Sequence, residues 1–348
     1  MEYRQLGNCG LRVSTITLGS MGFGATGSPV GLVNAEQARR QVCLAREAGV
    51  NLFDTADKYS GGMSEEFLGR ALGKSRDEVL VATKVRLATG SGPNDAGLSR
   101  HHILRSAEAS LRRLGTDHID LYQVHGWDGQ TRLEETMSAL DSLVRSGKVR
   151  YVGSSNFSAW HLMKSLWVCD RAGLEHFVSQ QIYYSLESRD AEAELVPIAI
   201  DQGLGILVWS PIAGGLLSGK YRRDGSKSAE GGRHVTGAWH EPPIHDREQL
   251  YDTIEVLVEI GAKRGVSAAR VALAYLLAKP AVTSVICGAR TEAQLVDDLG
   301  AADLKLTAEE MTRLDAVSEP TLRYPYWHQA GDIADRLSAA DRSVLGTR

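Results

Sequence analysis

One phrase, repeated along the chain, limits its fold more than any other feature: a short apolar strand, a polar loop, a capping residue, an amphipathic helix, a glycine stop. Strands are expected at residues 14–19, 50–54, 79–84, 119–125, 149–154, 177–181, 205–209 and 283–287. Asn34-x-x-Gln37 reads as a capping box opening a helix that stops at Gly49. Ser99 caps a second, whose Ile103, Ala107, Leu111 and Leu114 keep helical spacing up to Gly115. Further helices end at Gly147, Gly173 and Gly203, with Pro197 expected to kink the last of them. Two more, at residues 247–264 and 267–278, precede the eighth strand. Eight strands alternating with helices predict an α/β fold of the (β/α)8, or TIM, barrel type, with no linker dividing the chain into domains.

Composition narrows the function. The 348 residues carry a net charge of -4 with both signs interspersed, which leaves no footprint for nucleic acid. Cys9, Cys43, Cys169 and Cys287 are far apart and include no CxxC pair, which speaks against a zinc site or disulfide framework and suits a cytoplasmic protein. No run is apolar enough to span a membrane, and MEYRQLGNCG has no leader-like core. Residues 22–27 match GxGxxG after the first strand. Pro29 and Gly31 follow, and the next helix opens only near Asn34, so a Rossmann turn is not expected there. Residues 220–246 form a long polar excursion, either a surface insertion or a loop over the barrel mouth, and residues 319–348 form a tail.

The strand ends carry the chemistry. Asp54 closes the second strand, Lys84 the third and His125 the fourth. Each alone has a dull explanation, but three consecutive strands ending in different ionisable groups all point to one mouth. Tyr59 follows Asp54 in a loop loosened by Gly61 and Gly62, and Ser64 is the expected N-cap of the next helix. Buried together, Asp54 and Lys84 should pair. The ammonium of Lys84 should then lower the Tyr59 pKa, so that the phenol gives a proton to a carbonyl oxygen held by His125. Such a site reduces carbonyls once a hydride is supplied.

These residues, read with NLFDTADKYSGGMSEEFLGRAL, SLRRLGTDHIDLYQVHGWD, VRYVGSSNF, VSQQIYYSL, LVWSPIAGGLLSGKY and CGARTEAQLVDDLGA, make the chain resemble the aldo-keto reductases over nearly its full length. The resemblance implies an NAD(P)H-dependent barrel with Asp54, Tyr59, Lys84 and His125 as the catalytic tetrad. It implies Ser155, Asn156 and Gln181 on the nicotinamide carboxamide and Trp209 stacked on its ring. It further implies a pyrophosphate loop of Ser210, Pro211, Ile212, Gly214 and Leu216 with Lys220. Gly288, Arg290, Gln294 and Asp298 would hold the rest of the cofactor.

NADP(H) is the expected cofactor, with NAD(H) the alternative. Thr291 can cap a helix beside Arg290, whose guanidinium suits a ribose phosphate. Lys58 and Asp298 depart from the family pattern, in which an apolar residue and an adenine-contacting asparagine are common. Phe23 and Trp127 are expected in the substrate pocket, which suits an aldehyde, a ketone or a sugar-derived carbonyl. Two other readings stand beside reduction. One is a Schiff-base aldolase using Lys84; the other is a regulatory subunit that holds cofactor but turns over slowly.

Overall fold

A computed structural model describes residues 1–24, 32–223, 241–332 and 334–345. Its centre is a closed barrel of β3 (Ile16–Gly19), β4 (Leu52–Asp54), β5 (Leu80–Val85), β6 (Ile119–Val124), β7 (Val149–Ser155), β8 (Phe177–Tyr183), β9 (Gly205–Trp209) and β10 (Val282–Cys287). Neighbours pair in parallel all the way round, β10 closing on β3. Each strand end therefore opens on the same face. This is the (β/α)8 barrel that the repeating pattern predicts.

The helices begin where local chemistry allows. The capping box of Asn34 and Gln37 opens α1 (Ala35–Glu47), and the Ser99 side chain accepts the His102 N–H at the start of α3 (Arg100–Leu114). Between them, α2 (Met63–Leu72) corrects an expectation. It starts from Gly62 in a left-handed conformation (φ 96°), so Ser64 is not its N-cap. Ser64 is fully buried instead, donating to the Ser20 carbonyl at 2.7 Å. Gly69, in α2, lies so close to α3 that a Cβ there would sit 2.3 Å from the Leu114 carbonyl oxygen. Around the barrel follow α4 (Leu133–Arg145), α5 (Ala159–Ala172) and α6 (Ala191–Gln202), which stays helical through Pro197. After β9 come α7 (Arg247–Arg264) and α8 (Ala268–Ala278), then β10 and α9 (Glu292–Leu299). Next comes α10 (Ala308–Val317), and the expected C-terminal tail includes α11 (Tyr326–Asp332) and α12 (Ala339–Leu345), the last packed on α6.

A feature absent from the sequence reading closes the other end of the barrel. β1 (Tyr3–Gln5) and β2 (Arg12–Ser14) form an antiparallel hairpin. Leu6 and Val13 carry its apolar side into a cluster with Leu52, Ala82, Leu121 and Leu207 from the barrel strands. Gly7 permits the approach: its φ is +59°, and a Cβ would lie 2.4 Å from the Gly203 carbonyl oxygen. Water is thereby excluded from the barrel's lower layers while the mouth stays open. Most of the 220–246 excursion and the later part of the 22–27 segment lie outside the described residues.

Candidate active site

Asp54 and Lys84 meet across the ends of β4 and β5. Lys84 is fully buried, and its Nζ donates to Asp54 Oδ2 at 2.5 Å and to the Thr55 carbonyl at 2.7 Å. The other Asp54 oxygen accepts from Gln181 Nε2 at 2.8 Å and Gln123 Nε2 at 3.3 Å. Burying a carboxylate is costly unless donors surround it, and Lys84, Gln181 and Gln123 supply three. Gln123 was missed from sequence, although a lone amide inside the apolar run of β6 is itself a signal of an inward polar contact.

Tyr59 begins a single turn of 3-10 helix (Tyr59–Gly62) and leans over this pair. The Lys84 ammonium lies 5.1 Å from the phenol ring centroid. The His125 ring meets the phenol edge-on, with centroids 5.7 Å apart and planes at 79°. Burial pushes the Tyr59 phenol above its ordinary value; Lys84 pulls the other way and loses. The expected lowering is thus reversed, and the phenol stays a protonated donor. Burial also pulls the Lys84 ammonium down, but Asp54 and then Tyr59 outweigh it and hold the lysine charged. His125 is driven down to about 3 by burial, with Lys84 and Arg86 adding repulsion. Its imidazole is therefore neutral and has one N–H to offer.

Across the mouth, the ends of β7, β8 and β9 present polar groups. The Ser155 hydroxyl is buried with no partner among the described residues and lines the cavity. Asn156 does something other than face a ligand with both ends of its amide. Its Nδ2 donates to the His125 carbonyl at 3.0 Å, and its Oδ1 accepts from the Trp209 indole at 3.0 Å. It braces two strand ends. Gln181 commits its nitrogen to Asp54 and keeps its oxygen as an acceptor.

The backbone here is strained in the way functional loops often are. Asn156, Ser210 and Ala213 have φ of 55°, 52° and 51°, the left-handed region that few side chains favour. Ser210 Oγ accepts the Gly214 N–H at 3.0 Å, folding the loop after β9 into a cradle. Pro211, Ile212 and Lys220 stand on the cavity wall, whereas Leu216 is buried in the core and anchors the cradle from behind.

After β10, Gly288 passes close to β3: a Cβ would lie 3.2 Å from the Gly19 carbonyl oxygen. Thr291 Oγ1 accepts the Gln294 N–H at the start of α9, and the Arg290 N–H donates to Gln294 Oε1 at 3.0 Å. Asp298 follows one turn later, only 8% exposed.

One cavity of about 820 Å³ takes in both groups, from Tyr59 and His125 past Trp209 to Arg290, Gln294 and Asp298. Two expected pocket residues are not on its wall. Phe23 is buried in the barrel's outer core and pairs with Val33 through a β-bridge. Trp127 stacks on His161 with centroids 3.8 Å apart and planes at 12°, and it meets Phe157 edge-on. Both side chains are consumed by packing. The apolar wall comes instead from Met21, Leu32 and Leu87, with the Lys58 cation beside Tyr59.

A profile of the aldo/keto reductase family matches residues 15–319. The chain belongs to the aldo/keto reductase family. It is 39% identical to the uncharacterized oxidoreductase YrpG of Bacillus subtilis, over 91% of this chain and 96% of the relative. It is 35% identical to the versiconal hemiacetal acetate reductase of Aspergillus parasiticus, over 93% and 99%. A probable voltage-gated potassium channel subunit beta of Oryza sativa is 36% identical over 91% and 96%. Family membership makes this aldo/keto reductase an oxidoreductase of small carbonyl compounds. Among the described residues no group of three or more His, Cys, Asp or Glu side chains can hold a metal ion. No described helix is long and apolar enough to cross a membrane.

Proposed function

We propose that this aldo/keto reductase reduces an aldehyde, a ketone or a sugar-derived carbonyl to the alcohol, with NADPH as its preferred cofactor and Tyr59 as the proton donor. The observation that carries the reading is the phenol set between a charged lysine and a neutral histidine at the wall of the cavity. A nicotinamide nucleotide bound there supplies the hydride. The carbonyl oxygen, gaining charge, lies against Tyr59 and the His125 N–H. Tyr59 passes its proton to that oxygen, and Lys84, buried and paired with Asp54, stabilises the phenolate left behind.

The residues fit such a cofactor. The Ser155 hydroxyl and the Gln181 oxygen stand ready for a carboxamide, with Asn156 and Trp209 locked together beside them. The left-handed cradle from Ser210 to Gly215 turns its backbone towards phosphate. Arg290 stands at the N-terminus of α9, where charge and helix dipole both favour a ribose phosphate. The Aspergillus parasiticus relative, by its name, is a reductase of a hemiacetal acetate, which agrees in reaction class. The channel-subunit relatives support a second reading, a subunit that holds cofactor and turns over slowly; turnover separates the two.

An absorbance screen for NADPH and NADH oxidation across aldehydes, ketones and oxidised sugars tests the reading. Arg290→Ala should cut the NADPH-over-NADH ratio in kcat/KM by about one to two decades, the equivalent of one charge-assisted contact. A wild type that prefers NADH, or a ratio untouched by the substitution, removes Arg290 from the phosphate.

A further inference from the structure

A helix on the outside of a barrel needs one apolar stripe, and α5 has two. Leu162, Leu166, Val168 and Cys169 are buried in the core. On the outward side Trp160, Met163 and Trp167 stand 59%, 40% and 48% exposed. Among the described residues eight large apolar side chains are exposed, and no other helix carries three of them. An apolar stripe of this kind marks a contact surface. Its rings are already held in place. Trp160 leans on His161 with centroids 3.8 Å apart and on Trp127 at 5.8 Å, while the Arg171 guanidinium covers Trp167 at 4.6 Å. A partner therefore meets a preformed face and pays little to order it.

The order of residues along the stripe says what that partner is. Its positions are Trp160, Met163, Lys164, Trp167, Asp170, Arg171 and, just past the helix, the half-buried Leu174. Their spacing is symmetrical about Trp167. A second α5 laid antiparallel, with Trp167 on the two-fold axis, sets Trp160 against Leu174 and Lys164 against Asp170. It also sets Met163 against the aliphatic stem of Arg171. Apolar meets apolar and cation meets anion, and the two-fold makes each pairing twice. A parallel copy would instead oppose like charges. Lys164 makes no ion pair among the described residues, and the Asp170 carboxylate meets His176 at 3.2 Å with two-thirds of its side chain still exposed. We propose that the outward face of α5 is a homodimer interface, in which two copies of this chain pair α5 antiparallel across a two-fold axis at Trp167.

The test is sedimentation velocity of the whole protein from about 1 to about 100 μM, the range in which a short interface associates. The wild type should pass from monomer to dimer. Trp167→Glu puts two carboxylates on the axis and removes the central aromatic pair, so the dimer Kd should rise by about thirtyfold or more. Charge reversal then reads the pairing itself. Lys164→Asp alone opposes two acids and Asp170→Lys alone opposes two bases, so each should weaken the dimer several-fold. Combined in one chain they recreate the pair and should return the Kd to within a few-fold of the wild type. All four substitutions are at exposed positions, and thermal melts establish that each variant is folded. A wild type that stays monomeric throughout overturns the proposal and leaves the stripe to a different partner. So does a dimer indifferent to Trp167→Glu, which would use another face. A double variant no tighter than its parents contradicts the antiparallel arrangement.

Discussion

Asp57, two residues before Tyr59, is a buried carboxyl outside the Asp54–Lys84 pair. Both its oxygens are buried and unpartnered among the described residues. Arg113, the cation of this cluster, gives its Nε to Glu65 at 2.6 Å, and the Thr83 hydroxyl takes the other Glu65 oxygen at 2.6 Å. Burial, then Glu65, push the Asp57 carboxyl up to about 7, with Arg113 opposing. In the unfolded chain an aspartate titrates near 3.9. Between about pH 4 and 7 the unfolded state therefore releases a proton that the fold retains, and stability falls as pH rises through that window. Asp57→Asn copies the neutral form in shape. It should raise the melting temperature above that of the wild type, with a gap opening from pH 4 and levelling near 7, worth on the order of a few kcal/mol. Melts of the two proteins across that range check it; a gap independent of pH means that Asp57 ionises normally in the fold. Sequence showed Asp57 only as one acid among several, because nothing local reveals that its neighbours' donors are already engaged.

The strand end is the element that organises the site. Asp54, Lys84 and His125 were legible in sequence because each interrupts an apolar run where it meets polar loop, and parallel closure brings such interruptions to one rim. What the elements then do to one another was not legible. Whether burial or Lys84 sets the Tyr59 proton depends on how closely the phenol packs at the mouth, which no local pattern encodes. The same holds for Asn156, whose amide ties the rim of β6 to that of β9. The rim pair can be tested directly. Lys84→Met deletes the ammonium and leaves Asp54 buried with only the two glutamine donors. Breaking a buried pair costs about 3–5 kcal/mol. Urea unfolding should show that loss, along with reduced turnover. A variant that unfolds like the wild type contradicts the coupling between β4 and β5.

At the scale of the whole molecule, the barrel is closed below by the β1–β2 hairpin and open above, so that chemistry is confined to one face. The barrel was readable because its repeat recurs along the chain. The hairpin was not, since each of its strands has three residues and Tyr3–Gln5 is largely exposed. Phe23 and Trp127 were misread for a related reason: an aromatic beside a barrel mouth packs outward as readily as inward, and sequence spacing does not tell the two apart. The central claim is that this scaffold delivers one proton, from Tyr59, to a carbonyl oxygen. Its most direct test is kcat for NADPH-dependent reduction by wild type and Tyr59→Phe, with the NADPH Kd measured in both. The account predicts a loss of roughly two to four decades in kcat, with Kd changed by no more than a few-fold. A Tyr59→Phe enzyme that keeps most of its kcat would contradict it.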